Sequence, residues 1–315
     1  MNNNPKVTVL MSVYNCEKYI REAVNGILNQ TFTDFEFLIL NDGSTDKTKE
    51  IILSYKDPRI IFIENEKNLG IPQSLNKGLK LAKGEYIVHQ DGDDISLPKR
   101  LDKQIEFLDQ HKNIGLVGTF YMAINEEGEF LQEFQPETNS KRIKEKLAQK
   151  NQFAHGSITF RKECLNKVGY YNEDLKYTHD YDLSCRIAEH YDVANLPDCL
   201  YKWRNYTESI STRFYLEECL KLEKLLQENK LKDTNEEVGI KRKIAQGYNY
   251  LASCAFFNNQ HKESLQYSKK SFSYDKLNLK TWLITGITLI TSLLPKRFFA
   301  FILRLFPHIQ TKINH

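Results

Sequence analysis

Three carboxylates lie within four residues of one another in the run His89-Gln90-Asp91-Gly92-Asp93-Asp94. The run follows Glu85-Tyr86-Ile87-Val88, a short apolar segment typical of a buried strand. Clustered carboxylates repel one another, and a protein interior does not hold them without a compensating charge. A hard divalent cation such as Mg²⁺ or Mn²⁺ meets this need, because these ions prefer oxygen ligands. The alternative is an acidic turn exposed to solvent, since Asp and Gly are ordinary turn residues.

Alternating strands and helices are predicted to position this acidic run. Residues 7–13, 35–40 and 60–64 have the apolar and β-branched character of strands, and the run itself follows a fourth strand. Helices are predicted between them, over residues 17–28, from Ser44 or Thr45 to Tyr55, and over 71–83. Four such alternations in about 90 residues indicate an α/β fold with a doubly wound sheet.

Further along the chain, residues 98–110 and 141–150 are predicted helices. Residues 114–121 and 151–161 are predicted strands, and the acidic stretch 125–140 is predicted to be a loop.

Polar or aromatic residues follow three of the predicted strands at their carboxyl ends. These residues are Tyr14, Asp42 and the pair Asp91 and Asp93. Ligands of doubly wound sheets bind at this edge, so we expect the four side chains to form one site. For Tyr14 a packing role, and for Asp42 a turn role, remain open alternatives. The sequence has neither a G-x-G-x-x-G nor a G-x-x-x-x-G-K-[ST] motif, which argues against a Rossmann dinucleotide site and a P-loop.

The composition narrows the class of protein. The chain has 315 residues, of which 41% are hydrophobic, and a net charge of +3, which is too small to indicate a nucleic-acid partner. Its six cysteines are scattered without a C-x-x-C pair, which favours reduced thiols in a cytoplasmic protein. No signal peptide is recognised, and no uncharged apolar run is long enough to predict a membrane span.

An ordered series of motifs resembles one enzyme family. The motifs are Val7-Thr-Val-Leu-Met-Ser-Val-Tyr-Asn15, Gln30-Thr-Phe-Thr-Asp-Phe-Glu36, Asn41-Asp-Gly-Ser-Thr-Asp46, Asn68-Leu-Gly70, Lys83-Gly-Glu-Tyr86 and Asp91-Gly-Asp-Asp94. In this order they resemble the family 2 glycosyltransferases of the GT-A fold, over about residues 5–212. The resemblance implies a mostly parallel sheet with helices on both faces, within a catalytic domain over residues 1–212. It also implies sugar transfer from a nucleotide-diphospho-sugar in bacterial surface polysaccharide synthesis.

The same resemblance implies roles for the residues at the strand ends. Tyr14 would stack on the nucleotide base, and Asp42 would accept from the base imide N–H, which favours a UDP-sugar donor. Asp91 would contact the ribose or the donor sugar. Asp93 would hold a Mn²⁺ or Mg²⁺ ion that bridges the diphosphate, with Asp94 beside it.

A second acidic segment, Thr178-His-Asp-Tyr-Asp-Leu183, resembles the part of the family that supplies the general base. The family usually has Glu-Asp-x-Asp-Leu here, so His179 replaces the Glu and Asp180 keeps the base position. Asp180 would take the proton of the acceptor hydroxyl, and a single displacement would invert the anomeric centre. Asp182 is predicted to be structural. The alternative to a catalytic role is that the segment forms the first turn of a helix, where the helix dipole stabilises acidic side chains.

Two other segments are predicted to complete the site. Within residues 151–161, His155 could face the acceptor, although a structural histidine is the alternative. Near Trp203-Arg-Asn-Tyr206 the family commonly has Arg-x-His, so Arg204 would be available to the diphosphate, while Tyr206 replaces the His.

The last hundred residues, 213–315, are predicted to form a helical region. Within it, residues 282–306 hold two apolar stretches around Pro295-Lys296-Arg297, with aromatic and basic residues side by side. Such a pattern suits a helix in the membrane interface, and packing on protein or an oligomer contact is the alternative. The first option would place the protein at the inner face of the cell membrane, where a lipid-linked glycan acceptor is expected.

Two other functions stay open on the sequence. A sugar-1-phosphate nucleotidyltransferase also uses an α/β fold and Mg²⁺, but Tyr14-Asn15-Cys16 is not the glycine-rich basic loop that such enzymes have. A non-catalytic nucleotide-sugar-binding protein is the other alternative, for which the departures at His179 and Tyr206 leave room.

Overall fold

A computed structural model describes residues 4–228, 234–276 and 279–292. Within these ranges the chain divides into two compact units. The first contains the described residues up to 123 together with 133–203, and the second contains 124–132 and the described residues from 204 onward. The boundary between residues 212 and 213, drawn from the sequence for the catalytic domain, stays a prediction.

The first half of the first unit is a parallel α/β sheet. Its strands are β1 (Val7–Val13), β2 (Phe35–Asn41), β3 (Ile60–Glu64) and β4 (Tyr86–His89), in the spatial order β3-β2-β1-β4. The helices between them are α1 (Ile20–Leu28), α2 (Thr48–Leu53) and α3 (Ile71–Leu81). Since β2, β1 and β4 are neighbours and parallel, their carboxyl ends lie along one edge of the sheet.

The second half extends the same sheet in antiparallel fashion. The elements are β5 (Ile95–Ser96), α4 (Arg100–Gln110), β6 (Ile114–Ile124), β7 (Phe130–Phe134), α5 (Ser140–Leu147), β8 (Thr159–Arg161), α6 (Leu165–Val168), α7 (His179–His190) and β9 (Asp192–Arg204). Beyond β4 the strand order continues β8-β6-β9-β5, and β7 pairs with β6. Strand β8 is antiparallel to both β4 and β6.

Hydrophobic cores cover both faces of this sheet. Successive residues of β1 point to opposite faces, so Val9 packs in one core with α1 while Leu10 packs in the other with α3. This explains why β1 and β2 are almost uninterrupted in apolar character. In α1 the buried residues are Ile20, Ala23, Val24 and Ile27, the spacing of one helical face. The predicted α/β class, with helices on both faces, is confirmed.

Three details of the sequence prediction were wrong. The strand predicted over residues 151–161 is a strand only at β8, and His155–Ser157 form a turn of 3-10 helix instead. The loop predicted over residues 125–140 contains β7. Strand β9 was not foreseen, because Pro197 and neighbouring Asp and Asn residues are poor strand formers, whereas pairing with β5 and its place in the sheet order favour the extended chain.

The described residues from Ile210 onward, in the second unit, are mainly helical, as predicted for the C-terminal region. Its helices are α8 (Ile210–Gln227), α9 (Thr234–Phe257), α10 (His261–Tyr274) and α11 (Leu279–Ser292). Serine side chains join α10 to α9, because Ser264 Oγ donates to the Ala252 carbonyl and Ser271 Oγ to the Ala245 carbonyl, each at 2.9 Å. Among the helices of the described ranges, none is both long and apolar enough to cross a bilayer.

A buried polar network fixes the turn that leads into β4. Thr8 Oγ1 donates to Glu36 Oε1 at 2.6 Å, and the Gly84 amide donates to Thr8 Oγ1 at 2.8 Å. The same Glu36 oxygen also accepts from the Lys83 amide at 2.6 Å. A Cβ on Gly84 would lie 2.3 Å from the Thr8 backbone nitrogen, so this position requires glycine.

We therefore expect Gly84→Ala to lower the free energy of unfolding by about 1–3 kcal/mol, because backbone atoms must move to accept the methyl group. Urea unfolding followed by circular dichroism measures this. Gly239→Ala is the control, since a Cβ there meets nothing within 4 Å and alanine favours the helix. A Gly84→Ala protein as stable as the native one would contradict the steric account.

Candidate active site

The loops after β1 and β2 are joined at the carboxyl edge of the sheet. Tyr14 directly follows β1, and its side chain is 45% exposed. The next residue, Asn15, has a positive φ of 52°. Its backbone amide donates to Ser44 Oγ at 3.0 Å, and its side-chain Oδ1 accepts from the Thr45 amide at 2.8 Å. The exposed Tyr14 ring therefore stands on a loop anchored to the segment that carries Asp42.

Asp42, at the end of β2, is only 2% exposed and accepts three hydrogen bonds. Its Oδ1 accepts from Asn65 Nδ2 at 2.8 Å and from the Leu69 amide at 2.9 Å, and its Oδ2 accepts from the Gly70 amide at 2.9 Å. The carboxylate thus holds the turn over residues 68–70, and a carboxylate oxygen can accept two bonds, so Oδ2 keeps room for one more donor. Its contact with a base stays a prediction.

The acidic turn after β4 places its three carboxylates in different surroundings. The Asp91 side chain is 37% exposed, Asp93 is half-buried, and Asp94 is buried and hydrogen-bonded by the Tyr201 hydroxyl. The Cys16 thiol lies close by, because a Cβ on Gly92 would be 3.3 Å from its Sγ. Burial, and then the charge of Asp93, raise the pKa of this thiol to about 12. The turn therefore adjoins the loop that carries Tyr14, as the strand order predicts.

Arg100, in the first turn of α4, is a cation beneath the acidic turn that the sequence analysis missed. Its guanidinium donates to the carbonyls of His89 at 2.9 Å and Ile158 at 3.1 Å, and to Ser96 Oγ at 2.8 Å. Burial lowers its pKa to about 10, while the nearby Tyr201, Asp91 and Asp94 act in the opposite direction, so it is protonated at neutral pH. The only hint of this role in the sequence was that a basic residue follows Asp94, the last carboxylate of the turn, by six positions.

Three histidines and a tyrosine form a cluster next to Asp91. The rings of His89 and His155 stack at a centroid distance of 3.6 Å, and His89 Nε2 lies 3.0 Å from Asp91 Oδ1. His155 also contacts the Tyr171 hydroxyl at 3.0 Å through Nε2, and its ring meets that of His179 edge to face at 5.3 Å. The structure thus brings together three predicted residues, Asp91, His155 and His179, with His89 and Tyr171, which the sequence analysis did not select.

Asp180, in the first turn of α7, joins this cluster electrostatically. Its Oδ2 accepts from Asn151 Nδ2 at 3.0 Å. Burial raises the pKa of its carboxyl to about 6, and the charge of Asp91 adds to the shift. Burial also lowers the pKa of His179 to about 4 and that of His155 well below its usual value, so both imidazoles are neutral at pH 7. Of Asp180, His155 and His179, Asp180 is therefore the one whose pKa lies nearest to neutral pH.

Two other predicted residues are bound elsewhere. Asp182 Oδ2 accepts from both Nε and Nη2 of Arg186, at 3.0 and 2.6 Å, one helical turn further along α7. Arg204 is buried in the second unit, where its Nη1 donates to the carbonyls of Asn125 and Glu126 at 3.3 and 2.9 Å. Its role towards a diphosphate stays a prediction, as does the structural role of Asp182.

Solved structures share the fold of this chain. TarS 1-349 of S. aureus in complex with UDP aligns with a TM-score of 0.54 and 22% identity, over 89% of this chain and 83% of that one. A mannosyltransferase of Pyrobaculum calidifontis in complex with GDP-Man and Mn²⁺ aligns with a TM-score of 0.54 and 17% identity, over 98% and 85%. At these identities the similarity shows the fold, and the predicted GT-A type is confirmed.

Curated relatives are closer in sequence. The chain is 40% identical over 208 residues to an uncharacterized glycosyltransferase of Methanocaldococcus jannaschii, covering 64% of this chain and 71% of the relative. It is 34% identical over 221 residues to the putative glycosyltransferase EpsE of Bacillus subtilis, covering 68% and 78%. It is 31% identical over 211 residues to the amylovoran biosynthesis glycosyltransferase AmsE of Erwinia amylovora, covering 65% and 79%. Residues 8–169 match the sequence profile of glycosyl transferase family 2, and with these relatives the match shows that the chain is a glycosyltransferase of that family.

Proposed function

We propose that the enzyme transfers a sugar from a UDP-sugar to a hydroxyl group of a glycan acceptor, with inversion at the anomeric carbon. The observation that carries this proposal is the Asp180 carboxyl, whose pKa of about 6 suits a general base close to neutral pH. It is coupled by charge to Asp91 in the acidic turn. The relative AmsE is named for amylovoran biosynthesis, which supports a role in the synthesis of a surface polysaccharide.

Donor binding is proposed at the loops after β1 and β2. The exposed ring of Tyr14 offers a flat face on which a base can stack. The free acceptor position on Asp42 Oδ2 suits an imide N–H, which uracil presents and cytosine does not. The complex of the structural neighbour TarS with UDP supports this choice, although the mannosyltransferase neighbour binds GDP-Man.

A divalent ion is proposed at the acidic turn. Asp93 is half-buried at the edge of the site, next to Asp91 and Asp94, and carboxylate oxygens are the donors that Mg²⁺ and Mn²⁺ prefer. The residues present therefore fit the ion, and Asp93 would hold it. When bound, such an ion neutralises the charge that develops on the leaving diphosphate.

The chemical step is proposed to use this chain's own base. Asp180 takes the proton of the acceptor hydroxyl as that oxygen attacks the anomeric carbon. The bond from that carbon to the diphosphate oxygen breaks in the same displacement, so an α-linked donor gives a β-linked product. The hydrogen bond from Asn151 orients the carboxylate, while the neutral His155 and His179 rings keep its surroundings poorly solvated.

The first test is nucleotide binding. We expect calorimetry with UDP, GDP, CMP and dTDP to show tight binding of UDP that requires Mn²⁺ or Mg²⁺. We expect Asp93→Ala to lose the metal-dependent part of this binding, because the diphosphate would lack its bridge to the protein. Asp174→Ala, which removes an exposed carboxylate elsewhere, is the matched control. Equal binding of UDP by native protein and Asp93→Ala, with metal present, would place the ion elsewhere.

The second test addresses the base. We expect Asp180→Asn to keep UDP binding and to lower kcat by about two or more orders of magnitude, the scale of general-base catalysis. In the native enzyme kcat/KM should fall as the pH drops through about 6, because protonated Asp180 cannot accept a proton. In Asp180→Asn this acidic limb should vanish from the residual activity. If the acidic limb of the pH profile persists in Asp180→Asn, the general base is another group.

The end of the described chain bears on the proposed membrane contact. Trp282 of α11 is 61% exposed, and Leu289 is also exposed. Residues 293–306 of the predicted interfacial segment lie outside the described residues. The exposed apolar side chains support the proposal that this segment docks on the cytoplasmic membrane surface, close to a lipid-linked acceptor.

We expect the full chain to co-sediment with vesicles of phosphatidylcholine and phosphatidylserine, and Trp282→Ser to bind them several-fold more weakly. An interfacial indole contributes apolar area at the headgroup level, and that area is lost in the variant. Phe130→Ser is the control, because Phe130 is a similarly exposed aromatic residue outside the segment. Equal weakening in both variants would argue against a specific interfacial helix.

A further inference from the structure

We propose that His89, Asp91 and His155 form a second cation site, for a borderline transition metal ion such as Zn²⁺, separate from the proposed ion at Asp93. One ligand atom from each of the three side chains lies within 4.8 Å of the others. The closest pair is His89 Nε2 and Asp91 Oδ1, at 3.0 Å. This inference concerns an ion that neither the family match nor the proposed reaction calls for.

The buried position of His89 gives an independent reason for the site. Its side chain is 2% exposed, and its Nδ1 has no hydrogen-bond partner among the residues that the structure describes. A buried polar atom without a partner is rare in folded proteins and calls for an explanation, of which an ion is one. The ring therefore has one nitrogen, Nδ1, that no described residue uses, while its other nitrogen, Nε2, faces Asp91.

His155 has the support that metal-binding histidines usually have. A histidine that binds a metal ion through one nitrogen commonly hydrogen-bonds a protein group through the other. In this cluster Nε2 of His155 contacts the Tyr171 hydroxyl at 3.0 Å, which leaves Nδ1 for an ion. The His89 ring contacts Asp91 directly through Nε2. The His155 ring is held next to Asp91 indirectly, because it stacks on His89.

Space at Asp91 is kept open by glycine. A Cβ on Gly156 would lie 2.7 Å from Asp91 Oδ2 and 1.7 Å from the Tyr201 hydroxyl. Any other residue at this position would force the Tyr201 ring and the Asp91 carboxylate to move. Gly156 thus permits the close approach of Asp91 to the imidazole pair.

The donor set decides which ion the site would take. Two imidazole nitrogens and one carboxylate oxygen suit Zn²⁺, Co²⁺ or Ni²⁺, whereas Mg²⁺ prefers oxygen ligands alone. Zinc binds such ligands at about 2.0–2.2 Å, so any pair of ligand atoms near the 4.8 Å limit would have to come closer together on binding. The remaining coordination position would be taken by water.

An ion at this site would occupy an oxygen of Asp91. If Asp91 contacts the donor, as the proposed function holds, Zn²⁺ should weaken nucleotide-sugar binding in the native enzyme. That consequence rests on the proposed function, whereas metal binding to the protein alone does not. The two are therefore tested separately, and the metal titration without nucleotide decides the inference.

The test is titration of the 315-residue chain with Co²⁺ in the absence of nucleotide, monitored by visible absorption. We expect one Co²⁺ per chain with the spectrum of nitrogen and oxygen ligands, displaced by Zn²⁺, because the ion proposed at Asp93 also needs the diphosphate oxygens that are absent here. We expect His155→Gln to bind Co²⁺ at least about tenfold more weakly. We expect Asp93→Asn to bind as the native protein does. His190→Gln, which removes an exposed histidine at the end of α7, is the matched control.

Two outcomes would overturn the inference. If His155→Gln binds Co²⁺ as tightly as the native protein while Asp93→Asn loses it, the ion belongs to the acidic turn. If the native protein binds no Co²⁺ at submillimolar concentration, the histidine cluster is not a metal site. Circular dichroism of each variant confirms that a loss of binding is not a loss of fold.

Discussion

The buried guanidinium of Arg100 is the contact on which the site depends. It joins the end of β4, the segment before β8 and the start of α4 through the carbonyls of His89 and Ile158 and the hydroxyl of Ser96. A buried charge is tolerated only when it is paired and fully hydrogen-bonded, and here the charges of Asp91 and Asp94 face it. The acidic turn is therefore shaped by a cation of the protein itself, and the metal proposed at Asp93 acts on a turn that is already formed.

The low polarity around the histidine cluster governs the electrostatics of the site. Burial acts in opposite directions on acids and bases, since it raises the pKa of Asp180 and lowers those of His155 and His179. All three groups are thereby shifted towards their neutral forms. Since His179 is neutral at pH 7, the residue directly before Asp180 adds no charge to the site.

The sequence was sufficient to predict where a site residue lies when that position follows from the nearest strand. Tyr14, Asp42 and the acidic turn each end a parallel strand, and a parallel sheet brings such ends to one edge. The sequence was insufficient to predict contacts between side chains and groups that come from distant segments of the chain. The stack of His89 on His155, and the bonds of Arg100 to the segment before β8, join residues more than fifty positions apart. Local periodicity carries no information about such pairs, and β9, with its proline, was missed for a related reason.

The three hydrogen bonds on Asp42 have a consequence for changing the donor of this enzyme. The Asp42 carboxylate, which would bind the base, also accepts hydrogen bonds that hold the turn over residues 68–70. The same side chain would therefore serve both base binding and the local fold. A substitution chosen to admit another base would release Leu69 and Gly70 at the same time. A change of base preference at Asp42 would therefore be coupled to the stability of the turn over residues 68–70.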